Sequence, residues 1–145
     1  MALSDVQSAL YQDLQTVLVA GGYNYAYKTI YRVEKNIDKI DKLNCPAISM
    51  FLIAITPKEF DEATNGFDLL YGISIFASID EDVDKTGDME IYLGKMYEDL
   101  VKLFVKHDSN LFKRDEVEKL ELGELFPFAK GNLGWGFTTL KIIYK

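Results

Sequence analysis

The most constraining feature of this sequence is a pair of long apolar segments, residues 47–55 and 67–79, joined by a charged stretch. The first segment is almost wholly apolar, which is typical of a strand covered on both faces in the middle of a sheet. The second carries apolar side chains at its odd positions, which predicts a strand with one face on the core. The two segments predict a hairpin on which the rest of the chain packs.

The connection between these strands, residues 56–66, is longer than a tight hairpin needs. Pro57 cannot donate a hydrogen bond to a strand ladder, and the Asn65-Gly66 pair tolerates positive φ, so strand pairing should stop here. A long loop with charge at its tip is a candidate contact element. The residues that we predict to take part in an interface are Lys58, Glu59 and Phe60.

Two segments have the apolar spacing of amphipathic helices that cover a sheet. Residues 4–20 carry one such stripe and are followed by Gly21-Gly22, where glycine takes the left-handed C-cap conformation without strain. Residues 89–107 carry the other, and Asp88 before them is a good N-cap. A helix is therefore predicted on each side of the hairpin in sequence.

Four tyrosines at odd positions mark the segment 23–33, which is predicted to be a strand with all four on one face. One interpretation is a tyrosine-rich sheet face beneath the first helix. A second is a protein–protein contact surface, because tyrosine is enriched at interfaces. A third is a face that stacks on carbohydrate. The residues are Tyr23, Tyr25, Tyr27 and Tyr31.

The last third of the chain predicts an edge strand within residues 113–122, a loop over 123–134 and a closing strand over 135–144. The closing strand alternates between two apolar faces. The loop is unusual because its apolar side chains need cover from the domain or from a neighbour. These candidate interface residues are Leu125, Phe126 and Phe128.

The order helix, strands, helix, strands predicts an α+β fold: a mainly antiparallel sheet with two helices packed on one face. With 145 residues, 48% of them apolar, residues 1–145 are expected to form a single domain. No apolar run is long enough to span a membrane, and the N-terminus has no signal-peptide core, so no membrane association is expected. The one cysteine, Cys45, cannot form an internal disulfide, which suits a reducing cytoplasm.

The charge balance limits the classes of partner. Sixteen basic side chains stand against 23 acidic ones, a formal net charge of −7. A protein that grips nucleic acid needs a basic face to displace counterions, so this composition argues against that class. It remains compatible with a surface that DNA passes without being held.

No motif in the sequence predicts catalytic chemistry. The aspartates at 80, 82 and 84 have the spacing of the first ligands of an EF-hand, but Lys85 stands where that loop needs glycine and Ile91 where it needs glutamate. A solvated acidic turn is expected, with a looser metal site as the alternative. Cys45 and His107 lack a local nucleophile signature, and no phosphate-binding or dinucleotide-binding loop is present. We therefore predict no enzyme activity and no catalytic, cofactor-binding or metal residues.

The layout as a whole resembles a known family. Asn44-Cys45-Pro46-Ala47-Ile48 leads into the apolar strand, and a long charged loop leads into the next. A helix then precedes Glu121-Leu122-Gly123-Glu124-Leu125-Phe126 and a closing Gly134-Trp135 strand. In these features the chain is similar to the tail terminator (tail-completion, or minor tail) proteins of long-tailed bacteriophages.

This resemblance implies a structural protein of the virion tail, assembled in the host cytoplasm. Such proteins form homo-oligomeric rings, usually of six subunits, that cap the tail tube and provide the head–tail joining surface. The implied partners are the tail tube protein and a head–tail connector protein, with no cofactor. DNA would pass through the ring without specific binding, and an acidic channel suits that passage because it repels phosphates.

Three alternatives stay open. A head–tail connector or neck protein would have a similar size and layout. A small acidic adaptor would bind one partner as a monomer or dimer without forming closed rings. An enzyme of an unrecognised α+β family would need a pocket with clustered titratable groups of perturbed pKa.

Overall fold

The computed structural model describes residues 3–57, 67–78, 89–106, 109, 117–130 and 132–144. These residues form two helices and six strands, which confirms the predicted α+β class. In chain order the elements are α1 (Leu3–Gln15), β1 (Thr29–Tyr31), β2 (Ala47–Pro57), β3 (Phe67–Ser78), α2 (Met89–Leu100), β4 (Val117–Leu122), β5 (Phe126–Lys130) and β6 (Leu133–Tyr144).

The six strands form one sheet in the order β1-β2-β3-β6-β4, with β5 also paired to β6. Only the β1–β2 pair is parallel, so the sheet is mainly antiparallel as predicted. β4 and β5 lie on the same side of β6, one after the other. β4 pairs with residues 140–144 of β6 and β5 with residues 133–137.

Both helices pack on one face of the sheet, which we call the helix-covered face. Their apolar stripes meet the odd-numbered side chains of β3 in a single buried cluster. Each fully buried aliphatic side chain in such a core contributes about 1.5–3 kcal/mol relative to exposure. Fully buried examples are Leu10, Leu14, Ile73, Ile75, Leu93 and Met96.

The opposite, helix-free face is only partly covered. A small cluster of Ile40, Cys45, Ala47 and Phe76 lies at one end of it. The cover there is the segment between β1 and β2, which makes two short 3-10 turns. Cys45 is buried in this cluster.

The burial of the two long strands differs from the sequence prediction. β3, expected to be half-buried, is buried on both faces from Tyr71 to Ser78, because it is the central strand. β2, expected to be covered on both faces, is buried only over its first four residues. Its later residues Ile53 and Ile55 remain 46% and 49% exposed. Apolar content alone does not show where cover ends.

The predicted helix ends also shift. α1 stops at Gln15, where Thr16 turns its hydroxyl to the carbonyl of Asp13 at 2.6 Å. A separate 3-10 turn follows at Val19–Gly21 and ends at Gly22, whose φ of 91° requires glycine. α2 ends at Leu100 and continues as a π-helical turn, Val101–Val105.

The predicted loop over residues 123–134 is wrong in its central part, which is strand β5. β5 forms there because β4 pairs with only one end of β6, and the other end accepts a second short strand. The predicted edge strand within 113–122 is confirmed as β4. The closing strand is confirmed as β6, which buries its even positions on the helix-covered face.

Candidate interaction surface

Aromatic side chains gather on the helix-free face where the 3-10 turns do not cover it. Strand pairing places Phe126 opposite Phe137 and Phe128 opposite Trp135, so these four side chains share one face of the β5–β6 pair. β2 contributes a fifth ring, Phe51, to the same face. We call these five residues the aromatic face.

The rings of the aromatic face contact one another. The centroids of Phe128 and Trp135 lie 5.1 Å apart at an interplanar angle of 32°. Those of Phe51 and Phe137 lie 6.5 Å apart at 33°. Both separations fall within the range of favourable aromatic pairs. The first pair joins the neighbouring strands β5 and β6, and the second joins β2 to β6 across the central strand β3.

Much of this surface is open to solvent. Phe126 is 53% exposed and Phe128 is 51% exposed, and Ile53 extends the apolar area on β2. Single exposed apolar residues are ordinary on a protein surface, whereas a contiguous apolar patch marks an interaction site. The aromatic face is therefore the strongest candidate for a functional surface among the described residues.

A glycine in the central strand shapes this face. A Cβ atom at residue 72 would lie 2.6 Å from Cζ of Phe51 and 3.0 Å from Cδ1 of Ile53. Because Gly72 has no side chain, the Phe51 ring and Ile53 lie directly over the backbone of β3. The resulting surface is flat and apolar, and suited to contact with another protein surface.

The four tyrosines do not form the predicted sheet face. Only Tyr31 belongs to a strand, β1, and it packs with the small cluster on the helix-free face. Tyr23 is buried in the main core, and Tyr25 and Tyr27 pack against that core. Of the strand predicted over residues 23–33, only Thr29–Tyr31 forms, so the prediction is wrong on both sides of β1.

The cause is a buried carboxylate on α2. Asp99 accepts hydrogen bonds from the backbone N–H of Asn24 at 2.8 Å and of Tyr25 at 3.1 Å. In a strand, these N–H groups would instead donate to the backbone of a neighbouring strand. The Tyr25 ring stacks on Tyr92 with centroids 4.4 Å apart. Burial raises the pKa of Asp99, and the two backbone donors counteract part of that effect. These tyrosines fasten residues 23–27 to α2.

The other predicted interface residues separate into three groups. Leu125 is partly buried and packs on the main core. Phe126 and Phe128 lie together on the aromatic face. The loop residues Lys58, Glu59 and Phe60 lie outside the described part of the chain. The prediction of an interface at any of these positions remains a prediction.

Sequence reasoning missed Phe51, Trp135 and Phe137 as members of a common surface. The alternation of the closing strand does place Trp135 and Phe137 on one face. The signal that could have completed the set is Gly72, because a glycine inside an apolar strand indicates close approach of a neighbouring group.

A second concave feature of the described residues is lined by polar side chains. A cavity of about 310 Å³ lies between α1 and β2 and includes Gln7, Arg32, Glu34 and Tyr71 in its lining. Burial raises the pKa of Tyr71 to about 12, so its hydroxyl stays protonated at neutral pH. Arg32 lies 3.7 Å above the ring of Tyr11. A basic and an acidic side chain share this cavity, which favours no single ligand charge.

The lone thiol and the acidic stretch add little chemistry. Burial raises the pKa of Cys45 to about 11, which keeps the thiol protonated and unreactive. His107 and residues 80–88 lie outside the described residues. Within the described ranges, no group of three histidine, cysteine or acidic side chains could hold a metal ion. No helix in that part of the chain is long and apolar enough to cross a membrane.

The sequence matches none of the protein-family models, and a search of curated proteins finds no match.

Proposed function

We propose that this chain is a ring-forming structural subunit of a phage tail, a tail terminator that caps the tail tube and forms the head–tail joining surface. The observation that carries the proposal is the aromatic face, a contiguous apolar surface on the side of the sheet opposite both helices. A structural subunit needs such a surface to bind its neighbour. The resemblance of the sequence layout supplies the particular assembly.

The energetics of the aromatic face favour association. Full burial of a phenylalanine side chain contributes about 1.5–3 kcal/mol relative to exposure. Phe126 and Phe128 each have about half of that still to gain, since each is roughly half exposed. Rigid aromatic rings lose little conformational entropy on binding, which makes them effective interface anchors.

The charge of the chain is consistent with the proposal. At a net charge of −7, subunits repel one another except where the contact carries few charges. The five rings of the aromatic face are uncharged, and the charge of Lys130, which follows Phe128 on the same face of β5, is paired with that of Asp38. Acidic side chains elsewhere on the subunit would border the channel, where they would keep DNA from binding to the ring.

The proposal is tested by measuring the solution mass of the full chain. Light scattering over a wide range of concentration should find a species of fixed mass, a small multiple of the 16.5 kDa subunit. Negative-stain images of that species should show closed rings, of six subunits if the resemblance extends to ring size. A monomer at every concentration would contradict the proposal.

A neighbouring connector protein is separated from a terminator by a tube-length assay. A terminator added to polymerising tail tube protein of the same phage should shorten the tubes, because it occupies their growing end. A connector should leave the length distribution unchanged. The adaptor hypothesis predicts a monomer or dimer that binds one partner through the aromatic face.

A further inference from the structure

The cavity between α1 and β2 forms where β1 ends. β1 pairs with β2 only as far as Tyr31 opposite Ser49, and the chain then bends at Arg32 and Val33. The hydroxyl of Ser49 donates to the carbonyl of Val33, which holds the bent segment beside β2. The space between this segment, α1 and residues 50–52 of β2 measures about 310 Å³.

The size and the apolar part of the lining suit a small ligand. The apolar lining residues are Val33, Met50, Phe51 and Leu52. Ligand cavities in proteins measure about 300–1,000 Å³ and combine a mainly apolar wall with a few polar groups. Because one water molecule takes about 30 Å³ in the liquid, this cavity has room for about ten non-hydrogen atoms.

The polar part of the lining includes a residue with a buried, unpaired hydroxyl. Tyr71 on the central strand is 1% exposed, and its hydroxyl oxygen makes no hydrogen bond within the described ranges. Buried polar groups are nearly always hydrogen-bonded, so this hydroxyl needs a partner. Burial raises the pKa of Tyr71 to about 12, so the hydroxyl keeps its proton and can donate at neutral pH.

Two side chains of opposite charge line the same cavity. The guanidinium of Arg32 lies 3.7 Å above the ring of Tyr11, a contact through its face that leaves its N–H groups free to donate. Glu34 is exposed two residues later in the chain. In the part of the chain that the structure describes, neither Arg32 nor Glu34 forms an ion pair. Both charges are therefore available to a ligand.

This pair of charges restricts the charge of the ligand. A small anion would bring its charge towards Glu34, and a small cation would bring its charge towards Arg32, so each would be opposed by one side chain. A ligand that carries both charges can pair with both. A carboxylate suits Arg32, because a guanidinium binds it through two parallel hydrogen bonds. An ammonium group suits Glu34, and the apolar wall suits a hydrocarbon side chain.

We propose that this cavity binds a free α-amino acid with an apolar side chain of about the size of leucine. Its carboxylate pairs with Arg32 and accepts a hydrogen bond from the hydroxyl of Tyr71. Its ammonium group pairs with Glu34, and its side chain packs on Met50 and Leu52. This binding site stands apart from the proposed ring, because every residue that carries it belongs to one subunit.

Isothermal titration calorimetry of the full chain with three probes of similar hydrocarbon size tests the proposal. The probes are leucine, isocaproate, which lacks the ammonium group, and isoamylamine, which lacks the carboxylate. Leucine should bind with a saturable heat. Isocaproate and isoamylamine should each bind at least about tenfold more weakly, because each lacks one charged hydrogen-bonding group.

Two substitutions assign the charged groups of the ligand. Arg32→Gln should weaken leucine binding at least about tenfold and remove the preference for leucine over isoamylamine. Glu34→Gln should remove the preference for leucine over isocaproate. Lys95→Gln and Glu118→Gln, which remove exposed charges on α2 and β4 away from the cavity, are the matched controls and should bind leucine as the unmodified protein does.

Tyr71→Phe separates a ligand site from a cavity that holds only water. Leucine binding should weaken at least about tenfold, because the hydrogen bond to the ligand carboxylate is lost. The thermal unfolding midpoint of the free protein should not fall, because no described group loses a partner. A lower midpoint together with unchanged leucine binding would show that the hydroxyl serves a bound water and would overturn the site.

Two other results would overturn the proposal. One is the absence of leucine binding to the folded, unmodified chain. The other is binding of isocaproate or isoamylamine as tight as that of leucine. Neither result depends on the mass of the protein in solution, so this site and the ring-forming function can fail independently of each other.

Discussion

The two faces of the sheet are made by alternate residues of the same strands, yet they are completed differently. On the helix-covered face, α1 and α2 bury the odd side chains of β3 and the even side chains of β6. On the helix-free face, two 3-10 turns cover one end and leave aromatic rings exposed at the other. Apolar side chains on a strand therefore do not show which face belongs to the core of the subunit.

The two faces should differ most in the stability that is lost when a phenylalanine on each of them is truncated to alanine. Phe104 is fully buried against the helix-covered face, so Phe104→Ala should lower the free energy of unfolding by about 3–5 kcal/mol. Phe128→Ala should lower it by less than about 1 kcal/mol, because that ring is half exposed and its main neighbour is Trp135. Urea unfolding of the monomer measures both. Equal losses would contradict the distinction between the faces.

Two glycines, one on each face of the sheet, test how tightly the two faces are packed. At Gly136 a new Cβ would meet Cγ1 of the buried Ile75 at 2.9 Å, so Gly136→Ala should cost about 1–3 kcal/mol of stability. At Gly72 the new Cβ would meet the far end of the Phe51 ring, Cζ, at 2.6 Å, and that ring lies partly exposed on the helix-free face. Gly72→Ala should therefore cost less than Gly136→Ala in the same thermal or urea unfolding assay. The reverse order would show that the aromatic face is packed as tightly as the core.

A smaller effect concerns the carboxylate that ties residues 24 and 25 to α2. Asp99→Asn should cost about 1 kcal/mol, since an amide presents one acceptor oxygen where the carboxylate presents two. Burial raises the pKa of Asp99 above its ordinary value of 3.8. The Asp99 carboxyl group therefore stays protonated to a higher pH in the folded state than in the unfolded state. The contribution of Asp99 to stability therefore falls as the pH rises above about 4.

The pH effect is measured as the difference in unfolding free energy between Asp99→Asn and the unmodified protein. That difference should shrink as the pH rises from the acidic side through the interval between the unfolded and folded pKa values. Glu118→Gln is a control, because Glu118 is an exposed acidic residue on β4. A difference that grows with pH would show that the backbone donors outweigh burial.

The sequence predicts the fold class well because period and composition are local signals. The alternation of β6 and the apolar spacing of α1 and α2 identify those elements directly. The strand prediction for the tyrosine segment fails because Asp99, more than 70 residues away in sequence, accepts hydrogen bonds from its backbone N–H groups. The loop predicted over residues 123–134 is wrong at β5, because the pairing of β5 depends on how far β4 extends along β6.

The aromatic face likewise depends on contacts between residues that are distant in sequence. Its members come from β2, β5 and β6, and only the strand register brings Phe126 beside Phe137. The sequence identified Phe126 and Phe128 as apolar side chains that need cover. It did not identify the surface that they complete, because that depends on which face the helices leave open.

One double variant should change the stability of the fold least and the assembly of subunits most. The double variant Phe126→Ser/Phe128→Ser should change the unfolding free energy of the monomer little, because both rings are half exposed. It should weaken association strongly, because the rings supply most of the uncovered aromatic surface. Val19→Ser/Val105→Ser, which alters exposed apolar residues away from the aromatic face, is the matched control.

The most direct test is the solution mass of these three proteins by light scattering at equal concentration. The account predicts a large species for the unmodified protein and for Val19→Ser/Val105→Ser, and a monomer for Phe126→Ser/Phe128→Ser. A double variant at the aromatic face that assembles as well as the unmodified protein would contradict the account.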